Sequence, residues 1–214
     1  MGTAAAYERL RLSIMNGRPV PGAEVRPEEL AGEIGADAES VRLALERLIG
    51  EGLVESEDGH GELFRIAPLD KARALDTLDV FQSVVLTAAG RAMGELSASD
   101  AARVEGASQR FLAAVAGDDH DAAASAFDDF FTELFATARS RELELVLRPL
   151  QARFLRAVRL FVTPQIQLGD FAAPHRLTVS VVVGGDATQL VVQLGRRLDD
   201  MRKAIAAAPE TPWA

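Results

Sequence analysis

GADAESVRLALERLIGEGL, residues 35–53, is the stretch that decides the fold. Val41, Ala44, Leu45 and Leu48 recur at helical spacing, which makes one face of a helix apolar. Glu39, Ser40, Arg42, Leu43, Glu46 and Arg47 are left on the outward face. Immediately upstream, PEELAGEI (residues 27–34) predicts a second short amphipathic helix, with Leu30 and Ile34 one turn apart. Gly35 stands where a helix end wants a left-handed residue, and Ala36-Asp37-Ala38 fill a tight corner. Two short helices joined by a brief turn containing Gly are the helix-turn-helix pattern. Downstream, Gly50-Glu51-Gly52 breaks the helix. Leu53-Val54-Glu55-Ser56 and Leu63-Phe64-Arg65-Ile66 then flank a polar tip, Glu57-Asp58-Gly59-His60-Gly61, as the two strands of a wing. The pattern predicts a winged helix-turn-helix.

Toward the N-terminus, Tyr7–Asn16 reads as an amphipathic helix with Tyr7, Leu10 and Ile14 on one side. Gly17 stops it, and Pro19-Val20-Pro21-Gly22 is a stiff turn into Glu24-Val25-Arg26. Together with Glu29-Leu30-Ala31, Gly35, Val41-Arg42-x-Ala44-Leu45, Leu48 and Glu51-Gly52-Leu53-Val54, this region resembles the N-terminal domain of GntR-family transcription factors. The resemblance implies a double-stranded DNA partner, read by the second helix of the motif. Family members commonly enter that helix with Ser-Arg-Thr-Pro-Val-Arg, whose two arginines touch DNA; here the aligned residues are Asp37-Ala38-Glu39-Ser40-Val41-Arg42. Ala38 replaces the first arginine and two acids flank the turn. Arg42 is thus the expected DNA contact, helped by Ser40, Arg47, Arg26 and, at the wing tip, His60 and Gly61.

Composition bounds the rest. The 214 residues, 48% hydrophobic and 26% charged, are enough for a sizeable core in one large or two small domains. With no cysteine, disulfides, thiol chemistry and cysteine-based zinc sites are excluded. There is no apolar run of membrane-spanning length and no recognisable export signal at the start, so a cytoplasmic protein without a membrane partner is expected. The net charge is −9, and residues 1–68 carry seven Arg against thirteen Asp or Glu. Phosphate contacts supply much of DNA affinity, so an acidic domain must rely on a few placed arginines.

Beyond Pro68 the pattern is helical throughout, giving domains of 1–68, 69–208 and a flexible tail, 209–214. Helices are expected from Leu69 to about Leu96, from Ser97 to Ala116, over Ala122–Ala138, over Glu142–Val162 with a bend at Pro149, and after Asp186. Ser97-Ala98-Ser99-Asp100 and Asp186 with Gln189 have capping spacing. Pro174–Val183 is ambiguous between strand and buried helix. Leu190, Leu194, Leu198, Met201 and Ile205 form an apolar stripe on the last helix.

An all-α bundle after such a winged helix, with His175 and then Gly185-Asp186 before the last helix, resembles the FadR subfamily, in its shorter six-helix, VanR-like form. Most of that subfamily hold a divalent metal on an Asp and three His. Carried onto this chain, those positions are Phe127, Phe131, His175 and Arg197, so no metal or other cofactor is expected. The resemblance instead implies a pocket in which Arg197 meets a small organic carboxylate, walled by Phe127 and Phe131 and joined by His175, with Arg153 and Arg156 as further candidates. The plainer alternative makes the phenylalanines core and Arg197 a solvated residue. No phosphate loop, HExxH or paired nucleophile and base is present, so no enzyme is expected. Asp118, Asp119, His120 and Asp121 read as a helix cap. What the two resemblances imply together is a ligand-responsive transcriptional regulator, acting as a homodimer on a palindromic operator. A repressor is the default, though the sequence itself leaves the sign open. The alternative is a small-molecule-binding or scaffolding dimer with weakened DNA binding.

Overall fold

The structure, a computed structural model, describes residues 2–57, 59, 62–92 and 96–211. The fold is mostly α, an N-terminal winged helix-turn-helix followed by an all-α bundle, as the periodicity predicts. In the first part α1 (Thr3–Met15) packs on α3 (Ala38–Gly50), and α2 (Pro27–Ile34) crosses the pair. Helix α1 starts four residues before the expected Tyr7, because Ala4-Ala5-Ala6 are strong helix formers and Ala6 is fully buried. Gly35 closes α2 with φ 64°, the left-handed cap expected there. Asp37 caps α3, accepting from the Ser40 backbone N–H at 2.8 Å and from its hydroxyl at 2.8 Å. Strands β1 (Glu24–Val25), β2 (Val54–Ser56) and β3 (Phe64–Ile66) form an antiparallel sheet in the order β1-β3-β2. Val54 faces Ile66 and Ser56 faces Phe64, so the hairpin of the wing has the expected strands.

Among the described residues six helices follow: α4 (Lys71–Ala92), α5 (Ala98–Ala116), α6 (His120–Ala136), α7 (Arg141–Ala157), α8 (Ala172–Val183) and α9 (Ala187–Ala207). Met93, in the expected first helix, lies outside the described residues. Helix α4 packs on α7 and α9, and α5 on α6 and α8. Ser97 and Asp100 form a reciprocal capping box. Asp186 caps α9 through the Gln189 N–H at 2.9 Å, and all five stripe residues of α9 are buried. Residues 172–183 are helical, which resolves the strand-or-helix ambiguity: flanking helices offer that segment no strand partner. The core between α4, α6 and α7 is aromatic, with Phe81 stacked on Phe154 at 4.0 Å and edge-on to Phe131.

Helix α7 runs through Pro149 but departs from the expected end at Val162. Residues 158–162 widen into a π turn, and 163–165 and 168–171 are single 3-10 turns. Pro164 has no N–H to return to the Leu160 carbonyl, so the α ladder cannot continue. Thr163 Oγ1 donates instead to the Val158 carbonyl, and the Gln165 side-chain amide donates to the carbonyls of Phe161 and Ala204. This irregular segment becomes one wall of a cavity. Among the described residues no helix is long and apolar enough to cross a membrane.

Candidate functional site

The outward face of α3 carries Glu39, Arg42, Leu43 and Glu46, because Val41, Ala44, Leu45 and Leu48 are fully buried against α1 and the sheet. Arg42 is not free on that face. Its guanidinium donates to Glu39 at 2.6 and 2.9 Å and also to Glu46, one turn on each side. The hydrogen bond to Glu39 and the charges of both acids hold Arg42 more firmly protonated, while the hydrogen bond from Arg42 and its charge hold Glu39 below the usual carboxylate range. Ser40 is buried, and its hydroxyl is engaged by Asp37. Arg47 turns back onto the Tyr7 ring, its guanidinium carbon 3.6 Å from the centroid. Arg26 is exposed at the start of α2, with no ion-pair partner among the described residues. His60 and Gly61 lie outside the described residues. Arg65, a wing residue that periodicity did not single out, pairs with Glu57 and with Glu24 at 2.8 Å and donates to the Gly22 carbonyl at 3.1 Å, tying β1 to the wing.

The residues carried over from the metal pattern do come together. Phe127 and Phe131 meet edge-on at 4.9 Å, and His175 sits 4.4 Å from the Phe111 ring and 4.6 Å from that of Phe130. Arg197 lies over Phe127 at 5.8 Å, and its Nη1 donates to Thr178 Oγ1 at 3.2 Å. His175 is 0% exposed; Nε2 is 3.0 Å from Ser108 Oγ, and Nδ1 has no hydrogen-bond partner among the described residues. Burial, reinforced by the charges of Arg197 and Arg176, pulls its pKa down to about 3, so the ring is neutral. Burial also lowers Arg197 to about 10. One imidazole hemmed by phenyl rings does not fit a divalent cation, which needs several N or O ligands converging on one point. Phe127, Phe130 and Phe131 are buried in the hydrophobic core.

Arg153 and Arg156 are placed elsewhere, at the seam between the two parts of the chain. Arg153 lies across the turn at Gly52, where a Cβ would stand 3.0 Å from its Cδ. Gly52 has φ 68°, a left-handed backbone that favours glycine. Arg156 is 3% exposed and donates through Nη1 to the Ala67 carbonyl at 2.8 Å, while Nε and Nη2 have no hydrogen-bond partner among the described residues. Burial lowers its pKa to about 10. A third arginine, Arg11 of α1, completes the seam by donating to Glu51 at 2.9 Å and to Asp128 of α6 at 2.6 Å. Asp128 is held in turn by the amide of Gln151 on α7, and Glu51 accepts from the Tyr7 hydroxyl. Burial, with the Glu51 hydrogen bond, pushes the Tyr7 pKa up to about 12. Burial alone disfavours the Arg11 charge, but Asp128 and Glu51 outweigh it and hold Arg11 protonated.

Beside this bridge is a cavity of about 580 Å³ between α1, α6 and the π turn after α7. Phe127 forms part of its wall; His175, Phe131 and Arg197 do not. No periodicity could have located it, because its lining joins Leu12 and Met15 of α1 with Leu155 and Leu160, far away in the sequence.

Residues 3–63 match the model of the family described as bacterial regulatory proteins, gntR family. No match was found among curated protein sequences. Over the whole chain the fold is similar to E. coli McbR/YncC, at 17% identity and TM-score 0.76, covering 95% of this chain and 96% of that one. It is equally similar to a crystal structure titled as a putative transcriptional regulator GntR from Rhodococcus sp. RHA1, at 17% identity and TM-score 0.75, covering 97% and 99%. A structure of Lar, whose title says that it controls expression of the Listeria monocytogenes agr system, aligns at 15% identity and TM-score 0.64, covering 96% and 97%. Residues 3–63 therefore match the gntR family of bacterial regulatory proteins, and the whole chain, a winged helix-turn-helix joined to an all-helical domain, shares its fold with these solved structures.

Proposed function

We propose that this chain is a ligand-responsive DNA-binding transcriptional regulator of the FadR type, acting as a homodimer in the cytoplasm. The observation that carries the reading is the seam. A gntR-family winged helix with its second helix turned outward is fastened to a six-helix domain by Arg11, Arg153 and Arg156. Such fastening gives a ligand in or beside the helical domain a physical route to the DNA-reading helix. The domain division implied is 1–68 for DNA and 69–208 for ligand binding and dimerisation. Two reading helices of a two-fold dimer match a palindromic operator, since one helix covers one half-site.

A second reading, a binding or scaffolding dimer with weakened DNA affinity, draws support from one feature: Arg42 is neutralised by Glu39 and Glu46. Selection of genomic duplex fragments on the purified protein at low salt, followed by fluorescence anisotropy on the enriched fragment, separates the two. Recovery of a palindromic site with saturable binding supports the regulator. No enrichment over random duplex under these conditions would overturn it in favour of the second reading.

A further inference from the structure

We infer that the small-molecule site is the cavity between α1 and the helical domain, and that its ligand is an aromatic or aliphatic molecule ending in an amine, not a carboxylate. The inference rests on the regulatory reading above and names its ligand class. At the position predicted from the metal-binding relatives His175 is fully buried among Phe111, Phe127 and Phe130, whereas a cavity of about 580 Å³ is lined in part by Phe127. That volume is in the range of small-molecule pockets. Its walls are rings and aliphatic chains, among them Phe111, Phe127, Phe171, Leu12, Met15 and Leu160.

The charged groups choose the polar end of the ligand. Both arginines of the lining are already engaged, Arg11 by Glu51 and Asp128, and Arg159 by Asp121. A carboxylate ligand must displace one of those acids to reach a guanidinium. The lining also contains Glu8, exposed at the rim and without an ion-pair partner among the described residues. Asp121 and Asp128 are the partners of those arginines and His120 lies beside Asp118, so Glu8 is the one acid of the lining left unpaired among the described residues, and an ammonium group meets it without breaking any bridge. Because Leu12 and Met15 belong to the helix that packs on α3, a molecule lodged against them bears on the reading helix and on the Arg11–Asp128 link together.

The test uses the intact protein and three probes with one body and different ends: phenylhexylamine, phenylhexanol and phenylhexanoate. Thermal shift and titration calorimetry at millimolar probe should rank amine above alcohol above carboxylate, because a ligand that binds the folded state raises the melting temperature with its affinity. Leu12→Trp fills the cavity from a half-exposed position on α1 and should abolish the shift. Ala124→Phe fills it from α6 and serves if the first variant folds poorly. Glu8→Gln should bring the amine down toward the alcohol. Shifts that survive both filling variants, no shift with any probe, or a carboxylate that binds best would each overturn the assignment. The titration contains no DNA, so its failure is distinct from a failure of DNA binding.

Discussion

Arg42 and His175 are two groups whose surroundings set what they can do. Arg42 is the one arginine on the outward face of α3 positioned as the family pattern requires, but it reaches a base edge only after letting go of Glu39 and Glu46. If it makes a bidentate base contact, Arg42→Ala lowers affinity for the selected operator by about ten- to a hundredfold. Glu46→Gln acts in the opposite direction by freeing the guanidinium and removing an acid from the groove. Anisotropy titrations of both variants check the pair, and unchanged binding in Arg42→Ala would remove the assigned contact. The Glu39-x-x-Arg42-x-x-x-Glu46 spacing is itself a sequence signal for this clamp, since residues three and four apart share a helix face. His175 gives a pH prediction. Its folded pKa, about 3, lies below that of an unfolded chain, so the unfolded state binds the extra proton between about pH 6.5 and 3. The stability tied to neutral His175 is intact above that window and is lost as the pH falls through it. Acidifying from about pH 6.5 to 4.5 should cost roughly 2–3 kcal/mol through this residue alone. In His175→Gln, which keeps a hydrogen-bonding group toward Ser108, that part of the slope should vanish. Urea titrations of both proteins across this range read it directly, and parallel slopes would refute it.

At the scale of elements, the seam is held by side chains, not by long apposed surfaces. Arg11 is shared between Glu51 in its own domain and Asp128 in the other, so it transmits position from α6 to the end of α3. Both members of the Arg11–Asp128 pair are partly screened by solvent. A double-mutant cycle with Arg11→Ala and Asp128→Ala should return a coupling of ~1 kcal/mol, the upper end for such pairs. Limited proteolysis between β3 and α4 should quicken in both variants, and equal digestion of variant and parent would show that the bridge does not set the domain contact. Gly52, Arg153, Ala67 and Arg156 act in the same seam through backbone contacts, which explains why two arginines of α7 face the winged helix and not Arg197.

For the whole molecule, charge is the governing quantity. A net −9, with Arg11, Arg42 and Arg65 of the winged helix all paired to carboxylates, leaves few cations for phosphate. If Arg18, Arg26 and a released Arg42 serve in each protomer, a dimer neutralises about six phosphates. The logarithm of affinity should then fall against the logarithm of salt with a slope of about −5. Titrations at several salt concentrations measure it, and a clearly steeper slope would mean that further arginines leave their acids on binding.

The winged helix-turn-helix, the caps at Ser97 and Asp186 and the later helices other than α8 were legible in the sequence. Each depends on residues within a turn or two of one another, and periodicity and capping chemistry report such neighbours directly. The π turn was not: Thr163-Pro164 signals a stop, but how the preceding carbonyls are satisfied depends on Gln165 reaching Ala204. The destination of the functional side chains belonged to tertiary structure alone. Arg11 and Asp128 are 117 positions apart, and His175 and Ser108 are 67 apart, so no local pattern could pair them. Whether Phe127 and Phe131 wall a pocket or fill one was equally undecidable from spacing, because both answers demand the same apolar face. Packing of α5, α6 and α8 buried Phe131 and His175 in the core and left Phe127 at the edge of a cavity where α1 meets the bundle.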